Sequence, residues 1–131
     1  MEVSMQSSLV AAKHRGALSY QAGKSGEAQV VRHYEALGFS LVAQRWRGQG
    51  GEVDAVFRKA AQLVFVEVKA STTHAKAAAQ IKPAQLYRIA AAAEEYADQF
   101  AQGNLTHMRI DAALVDAQGY VDVLENVLIG A

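Results

Sequence analysis

A short run of residues near the middle of the chain, Leu63 to Lys69, determines most of what this sequence can form. Five of its seven residues are Leu, Val or Phe, as expected for a strand that is buried on both faces of a sheet. The run nevertheless contains Glu67 and ends on Lys69, although burying an unpaired charge costs several kcal/mol. We therefore predict a central strand that carries charged groups at one end.

The pattern on both sides of this run predicts a single α/β domain at residues 23–131, preceded by a loose N-terminal arm at residues 1–22. Helix caps, a glycine-rich turn and apolar stripes set the element boundaries. The predicted elements are a helix capped by Ser25 and ending near Leu37, strands at Phe39–Trp46, Glu52–Arg58 and Leu63–Lys69, a loop at Ala70–Gln80, a helix from Pro83 to about Gln102, and strands at His107–Val115 and Tyr120–Leu124. The stripes expected to face the core are Ala28, Val31, Tyr34 and Leu37 in the first helix and Leu86, Ile89, Ala93, Tyr96 and Phe100 in the second.

The amino-acid composition excludes some classes of protein but does not identify the function. The chain has no cysteine, which excludes disulfides and thiolate metal ligands, and it has no apolar run of the roughly 20 residues that cross a bilayer. The first ten residues do not resemble a signal peptide, so we expect a cytoplasmic protein that does not bind membranes.

Charge is balanced overall but unevenly distributed along the chain. Up to Lys82 there are eleven basic residues against six acidic ones, whereas from Pro83 onward there are two against seven. Such asymmetry is typical of a protein with an anionic partner, but folding can also mix the halves in space and cancel it. We expect a basic rim around the functional site, with the acidic remainder facing away.

Acidic residues on two adjacent predicted strands form the strongest candidate site. Alternate residues of a strand share a face, so Glu52 and Asp54 point the same way on one strand, and Glu67 and Lys69 do so on the next. If these strands pair as a hairpin, carboxylates from both meet beside one ammonium group. Such oxygen ligands suit Mg²⁺ or Mn²⁺. The alternative is a solvated face on which Glu67 and Lys69 simply pair.

These residues also resemble a known family. The segments Gly26-Glu27-Ala28, Gly51-Glu52-Val53-Asp54 and Phe65-Val66-Glu67-Val68-Lys69, with Lys82, Leu86 and Arg109-Ile110-Asp111, resemble the YraN-like family of small bacterial proteins. The resemblance covers roughly Gly23 to Leu124. It implies a restriction-endonuclease-like core, similar to archaeal Holliday junction resolvases, with a mixed central sheet of about five strands flanked by helices in the order α-β-β-β-α-β-β.

The resemblance also implies roles for individual residues. Asp54 and Glu67 would be metal-binding carboxylates, with the Val68 carbonyl completing the shell, and Lys69 would be the catalytic lysine. Glu27 would be the additional glutamate of the resolvases, although an acid in the first turn of a helix is also favoured by the helix dipole. Supporting positions would be Glu52, at the site rim or paired with an arginine, and Asp111.

The chain departs from the family pattern at a few positions, none of which removes a predicted metal ligand. Ser71 replaces the basic residue expected two positions after Lys69, and Arg45 stands where the family usually has asparagine. Ala55 and Val56 are a mild change in the apolar pair after the aspartate. The substrate contacts are therefore less well defined than the metal ligands.

Basic residues near the acidic cluster are candidates for nucleic-acid contacts, and DNA is the expected partner. Trp46 has two interpretations, as a stacking surface for a base or as a core residue at a strand end. Symmetric cleavage of a junction would also require a twofold dimer, for which the sequence shows no clear face. The nucleic-acid-binding candidates are Lys24, Arg32, Arg45, Arg47 and Lys82.

Two functions from different classes therefore fit the sequence. The first is a metal-dependent endonuclease that hydrolyses a phosphodiester in DNA, including branched DNA, with Mg²⁺ or Mn²⁺ as cofactor. The second is a non-catalytic module that binds nucleic acid or a protein on the same fold, because a fold alone does not establish an activity.

Overall fold

The structure is a computed structural model that describes residues 26–100 and 107–128, and the predicted N-terminal arm, the Ser25 cap and Lys24 lie outside these ranges. None of the helices within them is both long enough and apolar enough to span a bilayer. The elements in chain order are α1 (26–36), β1 (Ser40–Arg47), β2 (Glu52–Lys59), β3 (Gln62–Ala70), α2 (His74–Ala78), α3 (Pro83–Phe100), β4 (His107–Val115) and β5 (Val121–Leu124).

The five strands form one mixed sheet in the order β1-β2-β3-β4-β5. β3 and β4 are parallel, and every other neighbouring pair is antiparallel. The predicted glycine-rich hairpin is present, with Arg47 opposite Glu52 and the N–H of Gly48 donating to the Gly51 carbonyl at 2.9 Å. The predicted α/β fold with a mixed five-stranded sheet flanked by helices is therefore confirmed, and β3 is its central strand.

Each face of the sheet is covered by one long helix. α3 packs through Leu86, Ile89 and Tyr96 on the face that carries Leu63 and Phe65 of β3. α1 packs on the opposite face, where Val64 and Val66 lie. Successive residues of β3 point alternately towards α3 and towards α1. Burial on both faces of the sheet therefore explains the almost continuous apolar run.

The buried stripe of α1 differs from the prediction. Val30 and Tyr34 are buried with Gly26 at the same helical spacing, whereas Leu37 is 53 % exposed because it lies just beyond the helix end. In α3 the predicted Leu86, Ile89, Ala93 and Tyr96 are buried, but Phe100 is 56 % exposed. The apolar pattern therefore identified both helices, while the exact buried face depended on how each helix meets the sheet.

A short helix occupies part of the segment that was predicted to be a loop. α2 begins after Thr73, whose side chain accepts a hydrogen bond from the backbone N–H of Lys76. Ala77 of α2 is fully buried. The sequence pattern did not predict this one-turn helix, because only one of its residues reaches the core and no periodic apolar stripe is formed.

Candidate metal centre

The site begins where β2 and β3 stop pairing. Their register runs from Lys59 opposite Gln62 to Ala55 opposite Val66. Beyond this point Asp54 Oδ2 accepts a hydrogen bond of 2.8 Å from the backbone N–H of Val68. A side-chain oxygen thus replaces the backbone acceptor of a regular ladder, and it fixes the Asp54 carboxylate between the two strands.

Glu67 is held by two donors that approach the same oxygen. Its Oε2 accepts from Gln85 Nε2 at 2.5 Å and lies 3.0 Å from Lys69 Nζ. The residue is only 5 % exposed. A carboxylate can only accept hydrogen bonds, so the nitrogen of the Gln85 amide, rather than its oxygen, faces Glu67. Neither of these two donors binds Oε1.

The carboxyl groups of Asp54 and Glu67 form a close pair of like charges. Burial and the neighbouring charge of Glu67 raise the pKa of Asp54 to about 7, although the Val68 N–H and the Lys69 ammonium favour its ionised form. The Asp54 side chain also shares a hydrogen bond with Glu67, which favours a proton on the pair. Two buried acids in this arrangement need either a shared proton or a cation.

The acid pair opens into a cleft of about 170 Å³ between the sheet and α3. Glu52 lies with Asp54 and Glu67 on the strand side of this cleft. Gln85, Arg88 and Ile89 line it from α3, which is expected because residues three and four positions apart share one face of a helix. The cleft therefore has an acidic floor and a wall that contributes an amide and a guanidinium group.

The donor set fits a hard divalent cation. Asp54 and Glu67 supply carboxylate oxygens, and Mg²⁺ typically binds through one or two carboxylates while keeping several waters. Within residues 26–100 and 107–128, no group of three or more acidic or histidine side chains could hold a metal ion. The two carboxylates are thus the side-chain ligands that the described residues offer, and other positions around an ion would be open to water or substrate.

Glu27 and Glu52 are placed apart from this pair. The Glu27 carboxylate lies 2.9 Å from Arg45 Nη2, and with Gln44 and Arg45 it lines a second cavity of about 270 Å³. Glu52 lines the first cleft but is exposed, and it lies 3.7 Å from Arg47. Glu52 therefore borders the cleft and also pairs with an arginine.

Asp111, predicted as a supporting residue, lies on the other face of the sheet. It is fully buried and accepts hydrogen bonds from Tyr34 at 2.6 Å and from the Arg109 guanidinium at 2.9 Å. The backbone N–H of Asn126 donates to it as well. Burial and the Asp111 contact raise the pKa of the Tyr34 hydroxyl. Asp111 thus joins β4 to α1 and to the segment after β5, away from the cleft.

The predicted nucleic-acid contacts are dispersed. Arg32 and Lys82 are exposed on α1 and just before α3, and the exposed Arg47 ends β1. Arg45 is paired with Glu27. Trp46 packs edge-on against Tyr96, with ring centres 5.4 Å apart, so the interpretation as a core residue describes it better than a free stacking surface.

Three functional candidates on α3 were missed by the sequence interpretation. Gln85 and Arg88 line the cleft, and Glu95 accepts hydrogen bonds of 2.7 Å from the backbone N–H groups of Gln49 and Gly50. The available signal was helical spacing, because Gln85 and Arg88 lie four and one positions before the buried Ile89. Spacing alone does not show which strand residues a helix faces.

The fold and the paired acids define a small α/β protein whose core is consistent with the restriction-endonuclease-like architecture. A sequence profile of the uncharacterised protein family UPF0102 matches residues 26–115, more than half of the chain. A UPF0102 protein of Roseobacter denitrificans is 54 % identical over 115 residues, covering 88 % of this chain and 89 % of that protein. Similar proteins of Cereibacter sphaeroides and Ruegeria pomeroyi are 46 % and 44 % identical, covering 85 % and 86 % of this chain and 95 % and 91 % of their own lengths. The chain belongs to the UPF0102 family, in agreement with the YraN-like resemblance.

Proposed function

We propose that this protein is a metal-dependent endonuclease that hydrolyses phosphodiester bonds in DNA. The observation that carries the proposal is the pair of half-buried Asp54 and buried Glu67, with Lys69 Nζ 3.0 Å from Glu67 Oε2 and an open cleft above them. An acid on each of two paired strands, with a lysine at the end of the central strand, opposes folding, since apolar residues would pack there at lower cost.

Each of these residues has a distinct task in the proposal. Asp54 and Glu67 hold Mg²⁺ or Mn²⁺, and Asp54 is itself fixed by the Val68 N–H. A divalent ion bound there would stabilise the negative charge that builds up on the phosphate. The Lys69 ammonium, only partly exposed, orients the attacking water and stabilises the charge that develops on it. Glu52 borders the cleft without joining the pair.

The substrate class follows from the chemistry of the cleft. An acidic floor repels a phosphate until a cation is bound, so the proposed nuclease binds its substrate productively only with the ion present. Arg88 on the wall of the cleft and Arg47 beside it can contact phosphates that flank the reacting one. Contacts to phosphates carry no information about base sequence, so the proposed nuclease would recognise the structure of its DNA substrate rather than its sequence.

A cleavage assay tests the proposal. Labelled four-way junctions, forks, linear duplexes and single strands are incubated with the protein in Mg²⁺ and in EDTA. We expect cleavage of at least one substrate in Mg²⁺ only, and a loss of roughly 100-fold or more in Lys69→Met and Glu67→Gln. Glu94→Gln, an exposed change on α3, is the matched control and keeps full activity.

Two results would contradict the proposal. One is a folded wild type that cuts none of these substrates with Mg²⁺ or Mn²⁺, and the other is cleavage that persists in Glu67→Gln. Salt-sensitive DNA binding that survives Glu67→Gln, without cleavage by the wild type, would instead support the non-catalytic binding module.

A further inference from the structure

We infer that Gln85 is a positioning residue that holds Glu67 in its metal-binding orientation without neutralising its charge. The inference rests on the proposed function, which it deepens by assigning a role to a residue of α3 that the sequence motifs did not include. Gln85 would touch neither the substrate nor the ion. It would act through Glu67, whose Oε2 lies 2.5 Å from Gln85 Nε2.

The geometry explains why a second donor is needed. Lys69 alone would hold Oε2 from one side, but the lysine side chain is long and flexible and also has to reach the water in the proposed reaction. Gln85 donates to the same oxygen from the opposite wall of the cleft. With Oε2 held between two donors, the carboxylate is oriented and Oε1 is left for Asp54 or a cation.

The chemistry of the amide is suited to this task. The centre contains two carboxyl groups and one amine, those of Asp54, Glu67 and Lys69, whose formal net charge is −1 when all three are charged. A second lysine in place of Gln85 would cancel this charge, and a glutamate would repel Glu67. A neutral donor fixes the ligand while preserving its attraction for a cation.

The position of Gln85 is set by the packing of its helix. α3 begins at Pro83, and the next residues after Gln85 to face the core are Leu86 and Ile89, both buried. These anchors fix the rotation of the helix about its axis, so the side chain of Gln85 is directed towards β3. The helix thus serves as a rigid support for Glu67.

The test is calorimetric titration of Mn²⁺ alone into wild type, Gln85→Met and Gln85→Lys at pH 8. Methionine keeps the size of the side chain but removes the donor, and lysine keeps a donor but adds a charge. We expect both to weaken Mn²⁺ binding by about tenfold or more, as is typical when the partner of a metal ligand is removed. Gln99→Met, an exposed change on the same helix, is the matched control and binds as wild type does.

Two further measurements separate positioning from a general structural defect. In the cleavage assay, Gln85→Met should raise the KM for DNA at limiting Mn²⁺, because DNA binds productively only to the ion-loaded protein. The KM should recover as Mn²⁺ is raised, and kcat at saturating Mn²⁺ and DNA should be unchanged. In metal-free protein labelled with ¹⁵N, the side-chain amide resonances of Gln85 should shift in Glu67→Ala, because the hydrogen bond is lost.

The outcomes distinguish this inference from the proposed function. Two results would overturn the positioning role while leaving the nuclease proposal intact. One is equal Mn²⁺ affinity in wild type and Gln85→Met, and the other is a Gln85 side-chain amide whose chemical shifts are the same in wild type and Glu67→Ala. A wild type that binds no Mn²⁺ would overturn both the metal centre and the role of Gln85 in it, whatever the amide resonances show.

Discussion

Asp54 and Glu67 are the residues at which folding and the proposed chemistry conflict most. Glu67 is buried and Asp54 half-buried, and their carboxyl groups lie against each other with one ammonium group nearby. Burial, and after it the neighbouring charge of Glu67, raise the pKa of Asp54, so without a cation one proton on the pair relieves the repulsion. The site therefore opposes folding most at pH values above 7 in the absence of metal.

This conflict predicts how stability depends on pH. The pKa of Asp54 is about 7 when folded and 3.8 as the unperturbed value, so between these pH values the folded state binds more protons than the unfolded state. The stability contributed by this group is present at low pH and is lost as pH rises towards 7. Asp54→Asn removes the titration while keeping an oxygen that can accept from the Val68 N–H.

We therefore expect Asp54→Asn to be more stable than wild type in EDTA at pH 8, with an advantage that shrinks by roughly 2 kcal/mol at pH 5, because one unit of pKa shift corresponds to about 1.4 kcal/mol. Urea unfolding at the two pH values measures it. Asp98→Asn, an exposed change, serves as the control. Parallel pH dependence in wild type and Asp54→Asn would show that the acid pair does not strain the fold.

Arg45 shows how backbone geometry can explain a departure from a family pattern. Its φ angle is +50°, in the region that asparagine adopts more readily than other residues with a side chain. Asparagine is also the residue that the resemblance described above led us to expect there. In this chain the side chain of Arg45 instead makes the ion pair with Glu27. Arg45 thus combines a positive φ angle with an ion pair to Glu27. Neither property could be predicted from the sequence.

The turn between β2 and β3 sets the register of the two strands that carry the site. Lys59 pairs with Gln62, so Ala60 and Ala61 form a two-residue turn. Ala60 has a φ of +53°, whereas the φ of Ala61 is not positive. A positive φ at the first central residue is typical of the two-residue turns that join hairpin strands, and glycine adopts it at the lowest cost.

Ala60→Gly should accordingly raise the free energy of unfolding by about 0.5–1 kcal/mol. The left-handed conformation costs an alanine roughly 1–2 kcal/mol, and the greater freedom of glycine in the unfolded chain offsets part of the gain. Ala61→Gly, one residue further on, is the control and should lower stability by about 0.5–1 kcal/mol. Equal effects of the two changes in urea unfolding would exclude strain at Ala60.

The elements were largely predictable from local sequence. The run from Leu63 identified the central strand because burial on both faces requires apolar residues at successive positions, and β4 was predicted at its observed bounds, His107–Val115. α2 was missed because one turn of helix depends on its cap and on a single buried alanine. Short elements are specified by tertiary contacts rather than by periodicity.

The site is formed by the pairing of β2 with β3, which places Asp54 beside Glu67, and by the packing of α3, which adds Gln85 and Arg88. The period of two predicted that Asp54 and Glu67 share a face, and the pairing of β2 with β3 makes them neighbours. The contributions of Gln85 and Arg88 could not be predicted, because they depend on how α3 crosses the sheet. The sequence also did not show that Asp111 would lie on the face of the sheet opposite the cleft, where it binds Tyr34.

The charge distribution is less simple than the sequence indicated. Arg47 pairs with Glu52 at the rim of the cleft, and Glu95, from the acidic part of the chain, binds the β1–β2 loop next to them. This loop lies so close to α3 that a Cβ at Gly50 would be 2.7 Å from the Cβ of Ala91. Because α3 covers this face, the expected separation of a basic rim from an acidic remainder does not hold there.

If Asp54 and Glu67 form a site for one divalent cation, calorimetric titration of Mn²⁺ into metal-free protein at pH 8 will detect it. Asp54→Asn is the variant and Asp98→Asn is its control. We expect one saturable ion per chain in wild type and Asp98→Asn, and a loss of at least tenfold in affinity in Asp54→Asn. No saturable binding by wild type, or equal binding by Asp54→Asn, would contradict it.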